Sequence, residues 1–325
     1  MVFSLNRRSA LVGLAAACVP PALLAQPAWQ PAQPLRLLVS FPTGGHLDVI
    51  ARLIAPPLAE ALGQPVVVEN RPGANGNIAG SAAAKAAPDG LTWLATSADA
   101  VAVNPFLYRA DFDPVKDLVP VTQLVSLSMM VVASPSFPAT DARSLIAHLK
   151  ASPRPLSYAT PGVGSGPHLA AELFQREAGV KLNHVPYKGL AAAITDLLGG
   201  HVDLVFDAGV GLPQVREGKL KLVTVVGRER LPEFPGVGTL REAGVRGFES
   251  DATFVLLAPA GTPQTAIARV NAEVARALRT ETVQAQLRTR NLRAIANSPA
   301  EAARALQADV ERQGRIIREA GIKVE

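Results

Sequence analysis

Cysteine is nearly absent from this chain. Cys18 stands alone among 325 residues, inside an apolar N-terminal stretch. An internal disulfide is therefore excluded, and loss of that stretch would also remove any thiol nucleophile or cysteine metal ligand. Aromatics are sparse, with 10 Phe, 2 Trp and 3 Tyr, which argues against a base-stacking platform. Charged residues form no long run. The balance of 32 − 27 = +5 is scattered in the manner of a solvated surface, and nucleic-acid binding has no support. Metal-site signatures are missing: His46, His148, His168, His184 and His201 include no i,i+4 pair and no H-E-x-x-H. Gly162-Val163-Gly164 begins like a dinucleotide fingerprint, but Pro167 replaces the third glycine and no acidic residue ends the next strand. No phosphate-binding G-x-x-x-x-G-K-[ST] loop is present. No cofactor is implied.

What is present starts with an export signal. Asn6-Arg7-Arg8-Ser9 is a basic start, Ala10 to Val19 is apolar but too short to span a bilayer, and Pro20-Pro21 break it. Cleavage after Ala25 fits, with Ala28 a second option. Without that segment the charge is 30 − 27 = +3. The Arg pair suits a twin-arginine route and an ordinary Sec signal equally. Cys18 as a lipid-anchoring residue is disfavoured, because Ala15 stands where leucine is usual. Residues 26–34 read as a flexible lead-in.

From Leu35 strands and helices alternate. Leu35–Val39 reads as a strand, Phe41 to His46 as a glycine loop, and Asp48–Leu62 as a helix ended by Gly63. Val66–Glu69 and Thr92–Thr96 are strands flanking a small-residue helix, Ile78–Ala87. The plan recurs. Leu156–Thr160 is a strand, residues 161–167 a second glycine loop, and His168–Ala178 a helix. Leu182–Val185, Ala191–Leu198 and Val202–Phe206 follow as strand, helix and strand. Two βαβαβ units predict an α/β protein with parallel sheets. Beyond strand Phe254–Ala258 the tail is helical, with Thr262-Pro263 as a helix start and Ser298 to Glu301 as a capping box, and is expected to pack on the first domain.

Each glycine loop opens onto a helix N-terminus, where unpaired amides and the dipole favour an anion. Ser165 does not match G-x-S-x-G, since Val163 occupies the first glycine position. Its preferred reading is a ligand donor or helix cap, with His168 in the first turn; a serine hydrolase using both is the enzymatic alternative. Asp207 ends a strand at the sheet edge where α/β proteins bind ligands. It reads equally as a cleft carboxylate and as an N-cap or structural hydrogen-bond acceptor.

The segments FPTGGHLDVIARLIAPPLAEALGQPVVVENRPGANGNIAG, AAKAAPDGLTWL, YATPGVGSGPHLAAELF, HVPYKG, DLLGGHVDLVFD and LLAPAGTP resemble the substrate-binding proteins of tripartite tricarboxylate transporters, the Bug receptors. The likeness spans nearly everything after Leu35. It implies a type II-like periplasmic binding protein and no enzyme: two α/β domains around a cleft, with two chain crossovers. Domain 1 would comprise 35–126 and 252–325, and domain 2 residues 127–251. It further implies a monomeric receptor for a small carboxylated solute, partnered by the membrane subunits of a tripartite carrier or, alternatively, by a membrane signalling protein. Carried over by position, the ligand contacts would be Phe41, Pro42, Thr43, Gly44, Gly45, His46, Asn77 and Ser97, then Thr160, Gly164, Ser165, His168 and Asp207. The chain departs from the family loop at Thr43, His46 and Leu47, where a proline, a small residue and a hydroxyl residue are usual. His46 therefore faces either the cleft or the solvent, and Leu47 is expected to remove a donor.

Overall fold

The computed structural model describes residues 29–247 and 251–323. The export signal, Cys18 and the cleavage sites lie outside the described residues. Of the lead-in, the residues from Trp29 on are described. Trp29 packs on the first core, its ring 2.8 Å from where a Cβ on Gly90 would sit.

The first unit runs β1 (Leu35–Val39), α1 (His46–Leu62), β2 (Val66–Asn70), a 3-10 turn (Ala74–Gly76), α2 (Asn77–Ala84) and β3 (Thr92–Ser97), then the short α3 (Asp99–Ala102) and α4 (Asn104–Leu107). The chain continues through β4 (Leu118–Leu127) and β5 (Met129–Ala133) to α5 (Ala142–Ala151). The second unit follows: β6 (Leu156–Thr160), α6 (Gly166–Ala178), β7 (Leu182–Pro186), α7 (Leu190–Leu198), β8 (Leu204–Asp207), α8 (Leu212–Arg216) and β9 (Lys221–Val226). The tail is β10 (Ala252–Pro259), α9 (Gln264–Leu278), α10 (Glu281–Arg288), β11 (Leu292–Ala294) and α11 (Pro299–Ala320).

Two sheets result, ordered β11-β4-β10-β3-β1-β2 and β7-β6-β8-β5-β9. β2-β1-β3 and β7-β6-β8 are parallel, as the repeated βαβαβ pattern predicts. The sheets are nonetheless mixed. β10 lies antiparallel between β3 and β4, and β5 antiparallel between β8 and β9. These strands arrive after the chain has crossed from one sheet to the other, at Ser128 and again between β9 and β10, so no local helix fixes their direction. The strand positions Val202 and Asp203 are left out of β8, which starts at Leu204 and ends at Asp207.

Both glycine-loop helices begin two residues earlier than their hydrophobic periodicity indicates, at His46 and Gly166. Leu47, Ile50, Ile54, Leu58 and Leu62 keep helical spacing and line one face of α1 in the first core. Leu47 has no exposure at all, so the residue replacing the family hydroxyl is a core side chain, not a cleft one. Burying it contributes about 1.5–3 kcal/mol. Pro263 is the N-cap of α9 rather than its first residue, and Thr262 donates its hydroxyl to the Pro259 carbonyl instead of capping. The Ser298–Glu301 capping box forms on α11. α9 packs on α1 and β4, whereas α11 touches α6 as well as β4 and α3, with Ile317 against Val103 and Leu169. The tail therefore spans both lobes.

Candidate functional site

The two glycine loops are the same turn built twice. In the first, the Gly45 amide donates to the Pro42 carbonyl at 3.2 Å; in the second, the Ser165 amide donates to the Gly162 carbonyl at 3.3 Å. Gly44 and Gly164 occupy the left-handed position of each turn, at φ 84° and 73°, where a Cβ is strained. Each of their amides is then held by the side chain four residues on. The Gly44 N–H donates to Asp48 Oδ2 at 2.9 Å, and the Gly164 N–H to His168 Nδ1 at 3.1 Å.

The helix ends beyond them differ. At α6 the Gly166 amide faces the Asp99 carboxylate, Pro167 has no N–H, and the His168 amide donates to Ser165 Oγ at 3.4 Å. At α1 the N-cap is Gly45, which has no side chain to offer. Among the described residues, the amides of His46, Leu47 and Asp48 have no hydrogen-bond partner. The open donors therefore belong to the first lobe.

The first loop is braced from below. Asn70 Nδ2 donates to the Phe41 carbonyl at 3.0 Å and to Asp48 Oδ1 at 2.8 Å, while Arg52 Nε donates to Asp48 Oδ1 at 3.0 Å. Thr43 Oγ1 reaches Asn70 Oδ1 at 3.3 Å, and the Phe41 ring meets Phe254 edge-on at 5.7 Å. Pro42, Thr43 and Gly44 are exposed. His46 turns toward the other lobe: its Cε1 is 3.5 Å from the Cβ position of Gly209, in the turn after β8. Burial, and then the charge of Arg290, lower its pKa, so it is a neutral imidazole at neutral pH. Asp48, Arg52 and Asn70 were invisible as site residues in the sequence, although Asp48 closes the loop motif.

The second loop rests on a ring stack. His168 lies on His184 at 4.2 Å and His184 on Tyr158 at 4.8 Å. Thr160 Oγ1 bonds His184 Nε2 at 2.6 Å, and the Tyr158 hydroxyl donates to Glu172 Oε1 at 2.7 Å. Burial lowers both imidazoles to about 4, so His168 is neutral and its Nδ1 accepts. Ser165 Oγ donates to the Gly162 carbonyl at 2.6 Å. With that proton committed and Nδ1 engaged by Gly164, no serine–histidine dyad is assembled.

The remaining carried-over residues are also engaged within the protein. Asn77 Oδ1 accepts from Asn104 Nδ2 at 2.7 Å, and Ser97 Oγ donates to Asp99 Oδ2 at 3.2 Å. Asp207 is fully buried and accepts from the amides of Val210 and Gly211 at 3.0 and 2.8 Å, as a structural acceptor of the turn after β8 and not as the N-cap of α8, which is Gly211. Burial pushes it up to about 6 against those bonds. Among the described residues, no three His, Cys, Asp or Glu side chains group to hold a metal.

Two mixed α/β lobes, joined by two crossovers and each carrying one glycine loop, define a type II-like periplasmic binding protein. Residues 50–322 match the family described as the tripartite tricarboxylate transporter family receptor. Protein BugT of Bordetella pertussis is 35% identical over 297 residues, covering 90% of this chain and 91% of BugT. Among solved structures, R. palustris Rpa4515 with adipate superposes with a TM-score of 0.83 at 34% identity, covering 90% of this chain and 99% of that one. MatC from Rhodopseudomonas palustris with bound malate gives 0.79 at 32%, covering 88% and 99%. The chain belongs to the tripartite tricarboxylate transporter receptor family. It is a periplasmic solute-binding receptor and not an enzyme.

Proposed function

We propose that this receptor captures a small dicarboxylate between its lobes and delivers it, as a monomer, to the membrane subunits of a tripartite carrier. The observation that carries this reading is the row of unpartnered amides at His46, Leu47 and Asp48, at the head of a 17-residue helix. Phe41, Pro42, Thr43, Gly44, Gly45 and His46 form the binding loop. Gly164, Thr160, Ser165, His168, Asn77, Ser97 and Asp207 shape the cleft through the bonds described above. The lobes that close on the ligand are 35–126 with 252–325, and 127–251. The adipate and malate of the two related structures support a dicarboxylate of similar length.

Isothermal titration with mono-, di- and tricarboxylates and aromatic acids tests this. Micromolar binding of a dicarboxylate is expected; binding confined to cationic or uncharged solutes overturns the reading. His46 supplies a second check. A carboxylate beside it favours imidazolium, so the imidazole takes up a proton on binding and affinity rises as pH falls from 8 to 6. His46→Ala is expected to flatten that pH dependence and to weaken binding by roughly three- to ten-fold. An unchanged pH profile in the variant places His46 outside the ligand's field.

A further inference from the structure

The backbone of the second glycine loop is held by side chains of the first lobe. The Tyr108 hydroxyl donates to the Val163 carbonyl at 2.8 Å, and Asn75 Nδ2 to the Gly164 carbonyl at 3.2 Å. The Asp99 carboxylate stands against the first turn of α6, at the Gly166 amide. Burial pushes Asp99 up to about 6, so at neutral pH it is ionised and favours the positive end of α6. A small cavity of about 60 Å³, lined by Asp99, Met129, Gly166, Asp309 and Arg312, adjoins this contact.

The gripping side chains are themselves preset. Asn104 accepts from Asn75 Nδ2 at 2.8 Å and donates to the Asn75 carbonyl at 3.0 Å. Ala74 and Asn75 both sit in the left-handed region, at φ 45° and 50°. That conformation is avoided by residues with a Cβ and persists where surrounding contacts impose it. The fit leaves no slack. A Cβ on Gly164 would lie 3.0 Å from Leu107 Cδ1 and 3.3 Å from Tyr108 Cε2, and one on Gly166 would lie 2.8 Å from Asp99 Oδ2.

We propose that Tyr108, Asn75 and Asp99 form the closure clasp of this receptor: positioning residues that grip residues 163–166 as backbone and hold the lobes shut without touching the ligand. The second glycine loop is thereby a docking element for the first lobe. The clasp follows from contacts between the lobes and holds part of the ligand-free population closed; only its effect on ligand retention depends on the dicarboxylate reading.

The test uses the ligand-free full chain. Cys18→Ser with Arg71→Cys and Lys188→Cys places a dye pair on the exposed segments after β2 and β7, one per lobe, and single-molecule energy transfer reads the distance between them. A closed population is expected without ligand. Tyr108→Phe removes one hydroxyl, and Gly166→Ala inserts a wedge at a helical position where alanine suits α6. Each is expected to lower the closed-to-open ratio roughly three- to ten-fold while the melting temperature stays within about 2 °C. A wholly open ligand-free chain, or a closed fraction unmoved by both variants, overturns the clasp. Because no solute is added, either result stands apart from the outcome of the titrations.

Discussion

Asp48→Ala is expected to weaken the proposed dicarboxylate binding by roughly 100-fold or more and to destabilise the chain by about 1–3 kcal/mol. The side chain is 2% exposed and gathers three donors, from the Gly44 amide, Asn70 and Arg52. Burial alone raises its pKa; the bonds from Arg52, Gly44 and Asn70 more than offset this and leave the carboxyl below its ordinary value. Removing it takes the acceptor from the Gly44 amide and from Asn70 Nδ2, while the half-exposed Arg52 keeps Asn70 Oδ1 and water. The functional loss is geometric. Without Asp48 the Gly44 amide is free to leave its turn, and the row of amides that follows loses its aim. Asp48→Asn retains an acceptor for Gly44 but not the charge facing Arg52, so it falls between wild type and alanine. Thermal melts and titration calorimetry measure both effects. Wild-type affinity in a folded Asp48→Ala protein would show that the loop holds its shape unaided.

Acidification is expected to have the next largest effect, through the ring stack beneath the second loop. His168 is buried and depressed from 6.5 to about 4. A depressed imidazole is neutral in the folded chain while the unfolded chain takes up a proton. Its contribution is therefore complete above pH 6.5 and is lost as pH falls through the window to about 4. For His168 alone this amounts to about 3 kcal/mol. Protonation also removes the Nδ1 acceptor from the Gly164 amide, so the second loop loosens as stability falls. Asp207 and Asp99 act in the opposite sense. Both are raised to about 6, so their burial is relieved as pH drops from 6 towards 4, and they offset part of the loss. His168→Gln separates the terms, since its side-chain oxygen accepts from Gly164 but does not titrate. Urea unfolding between pH 7.5 and 4 should show a shallower acid slope in the variant; parallel slopes would remove His168 from the account.

The repeated strand–loop–helix units were legible in the sequence because glycine and proline mark where each element stops. Their boundaries fell within one or two residues for β1, β6 and α7. The helix starts were less clear, since His46 and Gly166 are neither apolar nor strong formers and only the cap geometry reveals them. Strand direction in β5 and β10 was not legible, because it is set by crossovers and not by neighbours in the chain. The site divided along the same line. The loop from Phe41 to His46 reads as a candidate anion site from its own glycines. Asp48 was hidden by looking like an ordinary first-turn acid. The contacts of Asn75 and Tyr108 with the second loop join residues 89 and 55 positions apart, and no local pattern encodes such a pairing. Leu47 misled in the other direction: its departure from the family hydroxyl marks a choice of core packing, not of ligand.

The contrast between the two helix heads bears on how such a receptor acquires new ligands. At α6 the loop is read by its partner lobe as carbonyls and amides, so a change of side chain at Val163 leaves the grip intact, whereas Gly164 and Gly166 have no room for one. At α1 the amides are open, and in the proposed mode of capture the side chains around them, His46 foremost, would meet the solute. On that proposal selectivity would be concentrated in one short stretch of one lobe, from Phe41 to His46. A library confined to those six positions would explore new solutes while leaving untouched the proposed clasp of Asn75, Asp99 and Tyr108 and the loop it grips in the other lobe.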